Sequence, residues 1–151
     1  MNIRQVVDLP LEGSSTVHVP LIGAAVCAGF PSPADDFLEG ALELPRWLVP
    51  NPPASFLWRV SGWSVVRAGI HDGDLIVVDR SLSPLRDDIV VAAIDGQMSL
   101  KRYRIDGNRP VLAFDNPDLT ASPLDEIGEA SIWGVASVNL RLLRPLLRGM
   151  R

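Results

Sequence analysis

Ser64 and Lys101 are the residues whose types and spacing suggest chemistry. Ser64 stands in Val60-Ser61-Gly62-Trp63-Ser64-Val65, and Lys101 follows 37 positions later in Met98-Ser99-Leu100-Lys101-Arg102. A serine hydroxyl is a weak nucleophile at neutral pH until a neighbouring base takes its proton. Lysine, with an ordinary pKa of about 10.4, becomes such a base only where apolar burial without a carboxylate partner lowers that value. Val90, Val91, Leu100 and Ile105 are placed to supply that surround. The pair suggests a hydrolase that dispenses with histidine. A substrate lies in the same chain: in Val26-Cys27-Ala28-Gly29-Phe30-Pro31 the Ala28-Gly29 bond joins small residues before a proline-marked turn, 36 positions ahead of the serine. Small side chains there let the backbone approach a nucleophile closely, and Val26 fits a shallow pocket two residues before.

Each feature also has an ordinary explanation. Ser-Gly-x-Ser is common in turns, and a lysine on a strand is usually a solvated edge residue. Ser64 with His71 or His18 and an aspartate would make a Ser-His-Asp triad. His71, however, lies in His71-Asp72-Gly73-Asp74, a turn signature, and His18 lies in the N-terminal segment. Two histidines and one cysteine show no metal-ligand spacing, so neither metal nor cofactor is expected.

The elements that must position these groups follow from length and pattern. The chain has 151 residues, 47% of them hydrophobic, enough for one domain with a core. A net charge of -4 argues against direct, sequence-specific DNA binding, which needs a basic face. Arg141, Arg144, Arg148 and Arg151 close the chain with no acid after Glu129. That tail reads as a solvated last strand and terminus, with a basic docking site as the sharper alternative. Cys27 is alone, which excludes an internal disulfide and suits a reducing, cytoplasmic setting. Leu21 to Ala28 imitates the end of a secretory signal, but Asp8 and Glu12 replace the basic segment, while His18 and Pro20 shorten the apolar run. No run is long enough to span a bilayer, so no membrane association is expected.

Residues 1–28 read as an extended arm without a sustained strand or helix period, ordered only by docking. Ser32-Pro33-Ala34-Asp35-Asp36 resembles a helix start, with Phe37, Leu38, Ala41 and Leu42 on one face. Pro45 ends that helix, and Pro50 to Pro53 form a connector. Strands are expected at Phe56–Val60, Leu75–Asp79, Asp88–Ile94, Met98–Arg104, Val111–Phe114 and Ile132–Leu143. Asp95-Gly96 signals a hairpin that carries Lys101 on a paired strand, Leu100 and Arg102 facing the other way. Ser64 falls between a strand and a short helical segment at Val65 to Ile70, where backbone N–H groups are free.

From Cys27-Ala28-Gly29-Phe30-Pro31-Ser32-Pro33 onward the chain resembles the LexA/UmuD family of self-cleaving Ser-Lys peptidases. The resemblance rests on Val60-Ser61-Gly62 with Ser64, Ala68-Gly69-Ile70-His71-Asp72-Gly73-Asp74-Leu75, Asp88 to Gly96, and Leu100-Lys101-Arg102. It implies a mostly β fold of LexA/UmuD-like (signal-peptidase-like) type with a short N-terminal helix and an extended arm. It further implies an arm of residues 1–28 removed by self-cleavage from a peptidase and dimerisation domain of residues 29–151. In such a protein Ser64 attacks the Ala28-Gly29 bond, Lys101 carries the proton, and the backbone N–H groups of Trp63 and Ser64 receive the oxyanion. The implied partners are a second copy of the chain, the RecA filament on single-stranded DNA, and a UmuC-like Y-family DNA polymerase in error-prone translesion synthesis. A bond supplied in cis has a high effective concentration, so control requires an undocked arm or a protonated lysine until a partner shifts the balance.

Three positions depart from the family pattern. Trp63 and Val65 replace an acidic or small residue and a methionine beside the serine, and Asp87 stands where a glycine precedes the aspartate. A bulky Trp63 is expected to shield the dyad or narrow the cleft, and β-branched Val65 to stiffen the turn. These departures motivate a rival reading, a dimeric regulatory module of the same fold that does not cleave. A LexA-like repressor fragment is a further alternative, although 28 residues are too few for a helix-turn-helix domain. A membrane signal peptidase shares the chemistry but needs a spanning segment.

Overall fold

Apolar runs separated by Gly, Asp and Pro turns assemble into one eight-stranded sheet. The computed structural model describes residue 1 and residues 15–23, 38–118 and 130–144. Its strands are β1 (Thr16–Ile22), β2 (Leu38–Pro45), β3 (Ser55–Arg59), β4 (Leu75–Asp79), β5 (Ile89–Ile94), β6 (Gln97–Asp106), β7 (Arg109–Ala113) and β8 (Ala130–Leu140). They lie in the order β2-β1-β3-β4-β8-β5-β6-β7. Neighbours are antiparallel except β1 and β3, which run parallel and meet at Leu21 and Leu57. The expected mostly β architecture is present, and among the described residues no helix is long and apolar enough to cross a membrane.

The hairpin that carries Lys101 is the one expected. Ile94 faces Gln97 across a two-residue loop, and Asp95 and Gly96 both have positive φ (47° and 80°), the geometry that matches strand twist. β8 is last in sequence, yet it inserts between β4 and β5 and so joins the two halves of the sheet. The close approach of β8 to β4 requires Gly134, since a Cβ there would lie 2.6 Å from Val78 Cγ1. Val60, Val65, Ile70, Ile76, Val78, Ile89, Val91 and Trp133 pack as one core beneath the serine turn. Val90, Ala92, Leu112 and Val135 fill the hairpin side, and Val19, Leu44, Val49, Leu57 and Val77 the β1–β2 end.

Three expectations are corrected here. Leu38, Ala41 and Leu42 belong to a strand, not to a helix face, because β2 pairs with β1 from Ile22↔Leu38 to Thr16↔Pro45. The cap at Ser32 to Asp36 lies outside the described residues. The segment expected to lack a strand period supplies β1, where Val17, Val19 and Leu21 alternate into the core and Val19 is fully buried. The last strand also stops at Leu140, short of Leu143. Asp87, which departs from the family's glycine, has φ of 72°, a left-handed conformation in which glycine carries no steric penalty.

Candidate active site

The turn that carries Ser64 is fastened from both sides. Gly62 N–H donates to Asp72 Oδ1 (2.8 Å), and Val60 exchanges backbone hydrogen bonds with the Gly73–Asp74 segment. On the other flank Asp115 N–H donates to the Ser64 carbonyl (2.8 Å), and Asn116 Nδ2 donates to the Trp63 carbonyl (2.7 Å). Val65 is 1% exposed, and burying such a side chain contributes about 1.5–3 kcal/mol, which ties the turn to the core. A 3-10 turn at Val66–Ala68 follows within the expected helical segment. Ser64 is half-buried and opens into a cleft of about 810 Å³. Among the described residues, the amides of Trp63 and Ser64 have no protein acceptor, unlike that of Gly62.

Lys101 lies on β6 opposite Val90 and is 6% exposed. Its Nζ donates to Ser99 Oγ and to the Leu100 carbonyl (3.3 Å) and sits 4.2 Å from the centroid of the Phe114 ring. No carboxylate pairs with it among the described residues, and burial pushes its pKa below the ordinary lysine value. The Phe114 ring opposes that effect by favouring the ammonium. Lys101 reaches the serine turn through the strand end beyond β7: its ammonium lies on Phe114, and the next residue, Asp115, holds the Ser64 carbonyl. In this arrangement the lysine's hydrogen bonds stay on its own strand, and Ser64 Oγ is not among its partners.

The cleft is lined by Ser64, Val65, Trp58, Met98, Ser99 and Leu100, and also by Ile22, Gly23 and Glu39. These last three lie on either side of residues 24–37, so described residues before and after the segment containing Ala28 and Gly29 line the serine's cleft. Ala28 and Gly29 themselves lie outside the described residues. Trp63 does not narrow the cleft as expected. Its ring is 54% exposed and rests on His71, with centroids 5.7 Å apart. His71 therefore faces Trp63, and its backbone N–H, not its ring, meets the carboxylate of Asp74 (2.9 Å).

Sequence reasoning missed the residues that brace the serine turn and the segment below it. Arg102 Nε donates to Asp115 Oδ2 (2.8 Å), fixing the residue whose amide holds Ser64. Arg141, read as part of a solvated tail, instead donates to buried Asp74 (Nε–Oδ1 2.7 Å) and to the Gly69 carbonyl (2.6 Å). Its hydrogen bonds hold the Asp74 carboxyl at about 2, against the opposing effect of burial.

The chain is 40% identical to Protein MucA of Salmonella typhimurium over 131 residues, covering 85% of this chain and 89% of MucA. It is 47% identical to Protein ImpA of Escherichia coli over 109 residues, covering 71% and 74%. It is also 40% identical to a LexA repressor of Acidithiobacillus ferrooxidans over 127 residues, covering 82% of this chain and 61% of the repressor. Residues 20–137, which include the end of β1, the serine turn and the lysine hairpin, match the family described as Peptidase S24-like. By that match and its UmuD-like relatives, the chain belongs to the Peptidase S24-like family of serine peptidases.

Proposed function

We propose that this chain is a UmuD-like SOS-response autoprotease that cuts its own Ala28-Gly29 bond with a Ser64–Lys101 dyad. The observation that carries the reading is the shared cleft: Ser64 opens into the same space as Ile22, Gly23 and Glu39, which flank the segment holding that bond. Neutral Lys101 takes the proton from Ser64 Oγ as the oxygen attacks the Ala28 carbonyl carbon. The Trp63 and Ser64 amides receive the oxyanion, where preorganised donors are worth about 10²–10³ in rate. Collapse breaks the Ala28–Gly29 bond, and the lysine's proton goes to the departing Gly29 amine. Water, deprotonated by the same lysine, then hydrolyses the Ala28 ester and frees Ser64. No cofactor enters this sequence.

Burial of an unpaired lysine supports the base role, and the hydrogen bonds to Ser99 and Leu100 describe a resting state in which the base is held off the serine. A partner that binds the docked, dyad-joined state better than the resting one accelerates the cut. RecA assembled on single-stranded DNA fits that part. The shortened residues 29–151, as a cytoplasmic homodimer, then serve a UmuC-like Y-family polymerase in translesion synthesis. The non-cleaving module remains the second reading, favoured by the same hydrogen bonds if Lys101 never leaves Ser99.

Incubation at mildly alkaline pH, with and without RecA, nucleotide and single-stranded DNA, followed by intact-mass measurement, tests the assignment. Wild type yields fragments ending at Ala28 and starting at Gly29, while Ser64→Ala and Lys101→Ala persist. An intact wild-type chain under every condition selects the non-cleaving module.

A further inference from the structure

Cutting the chain after Ala28 does not by itself release the arm, because β1 lies inside the sheet. It pairs with β2 from Thr16↔Pro45 to Ile22↔Leu38 and touches β3 at Leu21↔Leu57, so it has a neighbour on each side. Val19 is fully buried and Ile22 nearly so, and Val19 completes a core with Leu44, Val49, Leu57 and Val77. After scission none of these contacts is lost. Residues 1–28 become a separate peptide whose described strand, β1, is held by sheet hydrogen bonds and apolar contacts.

We infer that the slot between β2 and β3 is a peptide-binding site whose ligand is an extended strand with apolar residues at alternate positions. Its resident ligand is the chain's own β1, and the arm's departure is a step separate from its cutting. The inference rests on the proposed cut for its biological role but not for its test. Strand addition draws affinity from main-chain hydrogen bonds and specificity from pockets for alternate side chains. Here the pockets receive Val17, Val19 and Leu21. Two features make the strand separable. Pro20 has no N–H to give the ladder, and the pairing with β3 is limited to the single bridge at Leu21.

The consequence reaches β2, whose sheet neighbour is β1 alone among the described strands. When β1 leaves, β2 loses its place and β3, with fully buried Leu57, becomes a bare sheet edge. Such an edge is a template for another strand.

The test uses the full chain carrying Ser64→Ala, with a recognition sequence for a sequence-specific protease inserted after Ala28. After cutting with that protease, the arm is expected to co-elute with the remainder in size-exclusion chromatography at about 10 µM and to appear as a two-chain complex in native mass spectrometry. A synthetic peptide of residues 15–23 should displace it. The same peptide with Val19→Asp should need about 100-fold more, because it would place a carboxylate in the buried site. Separation of the arm on the first passage overturns the inference, as does co-elution that no amount of peptide reverses. Because Ser64 is absent, either failure leaves the autoprotease reading untouched, and an uncut wild-type chain leaves this inference untouched.

Discussion

If Lys101 is the base of the proposed cut, replacing Phe114 by leucine should make it a better one. Nζ lies 4.2 Å from the ring centroid, and the lysine is 6% exposed, so the ring's electrostatic attraction for the ammonium is little screened by water. A desolvated contact of this kind is worth about 1–2 kcal/mol. Leucine keeps the apolar bulk that excludes water but removes the ring's negative face. The ammonium loses that stabilisation, and the titration midpoint moves down. Below the midpoint the neutral fraction rises about 5- to 30-fold. Because Lys101 is the only lysine, a protein labelled with ¹³C at the lysine ε carbon gives one resonance, and its shift against pH reads this group directly. The Ser64→Ala background prevents loss of the sample to cutting, and the same substitution in active protein should raise the cleavage rate at neutral pH in proportion. The sign extends to stability: folded Lys101 binds its proton less well than the unfolded chain does, so stability rises with pH between the two midpoints, and Phe114→Leu widens that window. An unchanged or raised midpoint would refute the reasoning and show that the ring acts only as packing.

Further substitutions test the frame around Ser64 and Lys101. Arg141→Met should lower the urea unfolding midpoint by leaving buried Asp74 without its charged donor. Asp74 contributes stability that is present above its unfolded value of 3.8 and lost as pH falls toward about 2; the variant should show a flattened stability profile over that window. Asp87→Gly should raise stability by about 0.5–1 kcal/mol, since φ of 72° costs aspartate more than glycine and the 3.9 Å contact of its exposed carboxylate with Arg104 is weak; a lower urea midpoint would contradict this. Gly134→Ala should cost about 1–3 kcal/mol by forcing β8 away from Val78, and a thermal melt equal to wild type would show that the strands can shift freely.

Where the chain's own pattern is local, it was legible. β4 occupies Leu75–Asp79 as expected, and Asp95-Gly96 closed the expected hairpin because positive φ at both positions favours those residue types. β1 escaped notice although Val17, Val19 and Leu21 alternate, because Pro20 argues against an internal strand. β2 passed for a helix because Gly40 has no side chain to mark the inward face between Leu38 and Leu42, leaving Leu38, Ala41 and Leu42 at helical spacing. At the site, Ser64 and Lys101 were visible from motif and family resemblance. Phe114, Asp115 and Arg141 were not, since each reaches its partner across strands or loops whose register no local signal specifies.

The position of β8 gives the molecule an order of events during synthesis. Ser64 follows β3 in one half of the sheet, Lys101 stands on β6 in the other, and β8 is the strand that bridges β4 to β5. On the ribosome, Ser64 and Lys101 emerge well before the strand that bridges their halves. Pairing of Leu75 with Leu140 is a long-range closure of the slow kind. A nascent chain carrying everything through Lys101 thus holds the two residues on pieces of sheet not yet bridged by β8. If Ser64 and Lys101 act together as proposed, the self-cut waits until translation has passed β8.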